Sequence, residues 1–148
     1  MAVIGFHRLE ELFRKGAGLD IKKGHAKDIT DIVEKRLYDL LLMGQVTAEY
    51  NARDVIWKYD LPITKGLEQT IDEFKKLEQE IELKDILDVL ATYPATMTLE
   101  VELEKSLVDI VGGLTLVLAK TMKALNEENR AVSHELINKA SEVMDLTL

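Results

Sequence analysis

The chain has no cysteine in its 148 residues. That absence removes disulfides, thiolate metal sites and cysteine nucleophiles together. Proline is scarce, with two, and aromatics are few, with one Trp, four Tyr and three Phe. Such a composition favours helices over a sandwich or barrel. Asn and Gln number four and three, which suits a thermophilic chain. Positive charge is also short: 19 Lys and Arg stand against 27 Asp and Glu, a net charge of −8. The deficit is uneven. Residues 1–80 carry 13 basic against 15 acidic side chains, and residues 81–148 carry six against twelve. An acidic body repels nucleic acid and anionic lipid. The opening stretch Met1 to Leu12 is interrupted by His7, Arg8, Glu10 and Glu11, so no secretory signal is expected and a cytoplasmic location is the default.

A membrane-length apolar run is missing too. The most apolar stretch, Leu99 to Leu125, has fifteen apolar residues in 27, but only ten uncharged positions separate Asp109 from Lys120. A span needs about 20. Leu107, Ile110, Val111, Leu114, Val117, Leu118, Met122 and Leu125 recur at helical spacing, and Val108 and Leu116 widen the stripe. A helix apolar on several sides must be wrapped by others, so this stretch is the expected core helix. Gly112 and Gly113 fall at its middle. They cost about 1 kcal/mol each in helix propensity, which suggests close packing by a neighbouring element rather than mere tolerance of burial.

The remaining elements follow in order. Phe6, Leu9, Leu12 and Phe13 share one face of a short helix that Gly16-Ala17-Gly18 ends. A lysine-rich loop, Leu19 to Gly24, leads to a long helix from about His25 to Tyr50, on which Ile29, Ile32, Val33, Leu37, Leu40 and Leu41 set the buried face. Leu40-Leu41-Leu42-Met43 widens that face, so its second half is expected to be the more buried. Residues 51–56 read as an extended link, and Asp60-Leu61-Pro62 as the opening of a third helix. The charged run Lys75 to Glu82 is a natural seam. The order then recurs: a short helix on Leu83, Ile86, Leu87 and Leu90, a break at Tyr93-Pro94, the core helix capped by Thr98, an extended link at Arg130-Ala131-Val132, and a last helix capped by Ser133. The halves, 1–80 and 81–148, align at a shift of 76, with Leu40-Leu41-Leu42 on Leu116-Val117-Leu118, Ala48 on Ala124, Ile56 on Val132 and Leu61 on Ile137. At 77, Leu9, Leu12 and Phe13 fall on Ile86, Val89 and Leu90. One unit alone cannot bury its long helix; two packed together as a single domain can.

Short helix, long helix, link and short helix is the order of the histone fold. Arg53-Asp54-Val55-Ile56-Trp57-Lys58-Tyr59-Asp60-Leu61 is similar to the histone pattern of Arg, two residues, a β-branched residue, three residues, Asp and an aliphatic. Arg8-Leu9 through Lys15-Gly16-Ala17-Gly18 also looks like the first histone helix and its turn. The chain thus resembles a bacterial family of single-chain tandem histone-fold doublets of unknown cellular role, over roughly residues 4–146. The resemblance implies an all-α intramolecular pseudo-dimer in which Arg53 and Asp60 pair as a structural clamp. In the second half Asn129 and Leu136 occupy the equivalent places, so that clamp is absent there. The long helices of such a pair cross near their middles, which is where Gly112 and Gly113 stand, so the resemblance implies that the first long helix approaches closely there.

No chemistry comparable to an active site is legible. His7, His25 and His134 are too far apart in sequence to put two metal ligands on one helical face, and surface or capping roles are expected for them. Glu100, Glu102 and Glu104 suit the positive end of a helix dipole. No phosphate loop or Ser-His-Asp order is present, so no enzyme, cofactor, metal or small-molecule substrate is expected. The resemblance implies two kinds of partner. One is protein, including self-association, through apolar residues near Trp57, Tyr59, Met144, Leu146 and Leu148, which fit a core equally well. The alternative is weak, non-sequence-specific DNA binding, disfavoured by the net charge, at an end that brings Lys22, Lys23 and Lys27 beside Arg130. The opposite end would set Arg53 and Lys58 beside Tyr93 to Thr98, with Glu100 and Glu102 close by.

Overall fold

The computed structural model describes residues 6–81, 93–126 and 131–147. Within them lie five α-helices: α1 (Phe6–Ala17), α2 (Ala26–Tyr50), α3 (Lys65–Ile81), α4 (Val101–Leu125) and α5 (His134–Thr147). The architecture is all-α. Its only extended pieces among these residues are the two-residue strands β1 (Val55–Ile56) and β2 (Thr98–Leu99) and an isolated bridge. The short helix expected over residues 83–90 lies outside the described residues, as do Asn129 and Arg130.

Local chemistry sets the element ends. α1 buries Leu9, Leu12 and Phe13. It stops where Gly18 turns left-handed at φ +66°, and the Gly18 N–H donates to the Arg14 carbonyl at 2.9 Å. The third helix begins later than the position of Pro62 suggests. Thr64 Oγ1 accepts the Leu67 N–H at 3.2 Å and caps α3, because Asp60 is engaged elsewhere and closes a short 3₁₀ turn, Lys58–Asp60. Nor does Thr98 cap α4. Its backbone is used in pairing with Val55, and Glu100 takes the N-cap position without a side-chain cap. Ser133 does cap α5, accepting the Leu136 N–H at 3.1 Å.

α4 is the core. Leu103, Leu107, Ile110, Val111, Leu114, Leu116, Leu118 and Met122 are all buried, and each of the other four described helices packs on it. No helix among the described residues is long and apolar enough to cross a membrane. The two mid-helix glycines admit a neighbour, but it is α3 rather than the first long helix. A Cβ on Gly112 would stand 2.3 Å from the ring of Phe74, and one on Gly113 would stand 2.5 Å from the Ile71 side chain and 3.1 Å from its backbone. Phe74 is the bulkiest residue that α3 buries completely. It fits only where α4 has no side chain.

The two halves exchange extended segments reciprocally. β1, which follows α2, runs parallel to β2, which precedes α4, with Val55 opposite Thr98 and Ile56 opposite Leu99. At the other end Asp20, which precedes α2, makes a parallel bridge with Ala131, which follows α4. Each long helix is therefore flanked by a link that pairs with the loop entering the other.

Candidate interaction surface

Among the described residues, α2 is covered on one side only. Ile29, Val33, Leu37, Leu40, Leu41, Gly44 and Ala48 face inward. Gly44 sits under Ile56 and Leu61, where an added Cβ would come within 2.6 Å of a Leu61 methyl. The outward side of the same segment is also apolar. Tyr38, Leu42, Met43, Val46 and Tyr50 are exposed, Met43 at 53% and Val46 at 56%. The second half of α2 is thus not its more buried part. The run Leu40-Leu41-Leu42-Met43 has too many apolar residues for the covered arc, and a helix turns the surplus outward.

At the end of α2 the chain makes a compact polar knot. The structure brings Arg53 and Asp60 together as a bidentate pair, Nη1 to Oδ2 and Nη2 to Oδ1 at 2.7 Å each. The Trp57 N–H donates to Asp60 Oδ2 at 2.7 Å, and Arg53 Nη1 also donates to the Val55 carbonyl. The Arg53 guanidinium lies 3.9 Å above the Trp57 ring centroid. These donors hold the Asp60 carboxyl below its ordinary range, Arg53 most of all, against the opposing effect of burial. Asp60 in turn pushes the Arg53 guanidinium up. Arg53 is therefore committed to the fold. Beside it Tyr59 is almost fully exposed, and so is Leu146 on α5. Met144 is not part of any outer surface. With Leu136, Ile137 and Ala140 it faces inward, fully buried. Leu148 lies outside the described residues.

The opposite end holds the lysine loop. Lys22 and Lys23 are exposed, and Lys27 pairs with Asp31 at 3.4 Å. The Asp20–Ala131 bridge sets this loop beside the link after α4. Two histidines meet here, with ring centroids 4.8 Å apart and edge-to-face. His25 Nδ1 accepts the Lys22 N–H at 3.1 Å, closing the turn before α2. His134 Nδ1 lies 2.7 Å from Asp28 Oδ2 and ties α5 to α2. Burial first, then the neighbouring His134 and Lys22, lowers the His25 pKa, and Asp28 opposes them. The accepting role of Nδ1 agrees with a neutral ring. No cluster of three metal-ligating side chains occurs among the described residues.

Sequence reasoning misses one charged residue in the interior. Arg36 of α2 is buried, and its guanidinium pairs with Asp145 of α5. The signal is present: Arg36 lies three residues after Val33 and four before Leu40, inside the buried stripe. Lys120 of α4 and Glu73 of α3 form a further cross-element pair at 2.6 Å.

This architecture recurs in known proteins. A family model described as a domain of unknown function (DUF1931) matches residues 9–145. An uncharacterized protein of Aquifex aeolicus (strain VF5) is 35% identical over 138 residues, covering 86% of this chain and 83% of the relative. A second from the same organism is 30% identical over 142 residues, covering 95% and 82%. A crystal structure of a Thermus thermophilus protein superposes with a TM-score of 0.88 at 34% identity, covering 99% of this chain and 100% of that one. A 1.9 Å crystal structure of an Aquifex aeolicus protein superposes with a TM-score of 0.84 at 28% identity, covering 100% and 98%.

Proposed function

The chain belongs to the DUF1931 family of unknown function, and we propose that it works as a non-enzymatic protein–protein interaction module whose binding face is the outer side of α2. The observation that carries this reading is the exposed set Tyr38, Leu42, Met43, Val46 and Tyr50 on one helix of an otherwise well-buried core. Scattered surface apolar residues are ordinary, but a contiguous set on one face marks a surface that is covered in use. The experiment is site-specific photo-crosslinking from position 46 of the full chain in its own cell. The reading expects a crosslink to protein, lost when the probe moves to Lys22 on the opposite end. No protein adduct from position 46 overturns it.

The same proposal takes the architecture as a histone fold doubled within one chain. Three observations support it: two 25-residue helices each flanked by shorter elements, the reciprocal parallel pairing of links and entry loops, and the Arg53–Asp60 clamp. A second reading, weak DNA binding, rests on the exposed Lys22 and Lys23 beside the link after α4. Asp20 and Asp28 stand in the same region, and Asp31 neutralises Lys27. The test is anisotropy of labelled duplex DNA across a salt series. This reading expects a salt slope of no more than about three phosphates, abolished by Lys22→Glu with Lys23→Glu. No binding at low salt removes it.

A further inference from the structure

We infer that the outer face of α2 pairs with the same face of a second copy of this chain, the two helices running antiparallel about a two-fold axis at Leu42. This rests on the reading of that face as an interaction surface and adds the partner. The argument is one of register. Lys35, Tyr38, Leu42, Val46 and Glu49 are all exposed. They stand seven before, four before, at, four after and seven after Leu42. Steps of three and four keep the five in a single stripe. The set is symmetric in position about Leu42 and opposite in charge at its two ends.

A two-fold axis that reverses one helix sets each position opposite its mirror in number. Lys35 of one copy then faces Glu49 of the other, and the pair occurs twice. Tyr38 lies across from Val46, and Leu42 meets itself on the axis. An apolar strip is thereby bracketed by two ion pairs at its ends. A parallel arrangement would instead stack Lys35 on Lys35 and Glu49 on Glu49, so the charges select the orientation. Both charged groups are available. Neither forms an ion pair within the described residues, whereas Lys27 pairs with Asp31 and Lys139 with Glu135 inside their own helices. Asp31 and Asp39 lie one turn to either side of Lys35, and Asp31 is already taken by Lys27. The net charge of −8 per copy opposes association at long range, which keeps the pairing reversible.

Sedimentation velocity of the full chain, from low to several hundred micromolar, tests this. The expected result is a concentration-dependent monomer–dimer equilibrium. Leu42→Glu, which sets two carboxylates face to face on the axis, weakens it by roughly thirtyfold or more, the loss typical of a central anchor. Lys35→Glu and Glu49→Lys each weaken it, and the double reversal restores it. All four variants change exposed side chains, and circular dichroism melts confirm that each is folded. A chain that stays monomeric throughout, a dimer indifferent to Leu42→Glu, or a double reversal that fails to recover overturns the inference. The photo-crosslink from position 46 separates the two levels. An adduct to a different protein with a monomeric chain overturns self-pairing and leaves the interaction face standing. No protein adduct overturns both.

Discussion

Gly112 of α4 lies directly beneath the ring of Phe74 of α3, so close that a single added methyl would stand 2.3 Å from ring carbons. The contact joins an element of the first half to the central helix of the second, and it explains two glycines in the middle of a buried helix. Replacing Gly112 by Ala gains about 1 kcal/mol of helix propensity but overpacks a rigid, fully buried ring, which costs roughly 1–3 kcal/mol. The expected net outcome is a lower Tm for Gly112→Ala, partly recovered by adding Phe74→Leu. Thermal melts of the two variants check it. A Gly112→Ala chain that melts above wild type contradicts the packing account.

The clamp predicts an asymmetry between its partners and its neighbours. Asp60 accepts from both guanidinium nitrogens of Arg53 and from the Trp57 N–H. Asp60→Ala leaves those donors without their acceptor and is expected to cost about 2–3 kcal/mol in denaturant unfolding. Tyr59→Ser, one residue away and almost fully exposed, is expected to change stability by less than about 0.5 kcal/mol. Equal effects would mean that Asp60 contributes little beyond its place in the turn.

Arg36 and Asp145 are expected to respond in opposite directions. Asp145→Asn removes the counter-charge of a buried guanidinium. Because Asp145 is itself 49% exposed, water moderates the loss to roughly 1–2 kcal/mol. Arg36→Met replaces the buried charge with an apolar chain of similar length and is expected to be neutral or stabilising. Urea midpoints of the two variants decide it, and a large loss from Arg36→Met would show that the pair itself holds α2 to α5.

His25 makes stability depend on mildly acidic pH. Its folded pKa is lowered from the ordinary 6.5, chiefly by burial. Below about pH 6.5 the unfolded chain then takes up a proton that the folded chain resists, so stability falls as pH drops through and below that value. Asp60 acts in a separate window. Its folded pKa is lowered from 3.8, so its contribution is present above that value and is lost only as pH falls through the folded pKa. His25→Gln is expected to flatten the Tm profile between neutral and mildly acidic pH while leaving the steep loss in strong acid. An unchanged profile in the variant would place the mild-acid dependence elsewhere.

The candidate surface on α2 is not legible as a surface in the residues, which point instead to Trp57, Tyr59 and the end of the last helix. The spacing Tyr38, Leu42, Val46 is visible in the chain, yet it reads equally as core, because a 3.6-residue period says which residues share a face and not whether that face is covered. The run Leu40-Leu41-Leu42-Met43 reads as interior for that reason, and half of it is not. Met144 reads both ways, as part of the buried face with Leu136, Ile137 and Ala140 and, from the resemblance, as a candidate contact; only the fold sorts it to the interior.

Local sequence dictates the all-helical class, two long helices of similar register, a central helix whose uncharged run is too short to span a bilayer, and the turn at Gly18. Each is a local consequence of periodicity, propensity or backbone freedom. Tertiary structure alone decided that α3, not α2, fills the notch at Gly112 and Gly113. It also decided that Thr98 serves a strand instead of a cap, that Arg36 reaches Asp145 more than a hundred residues away in sequence, and that Tyr38, Leu42 and Val46 of α2 face outward. Those outcomes depend on which surfaces meet, and contact between distant segments is set by the packing of the whole chain rather than by the residues around any one of them.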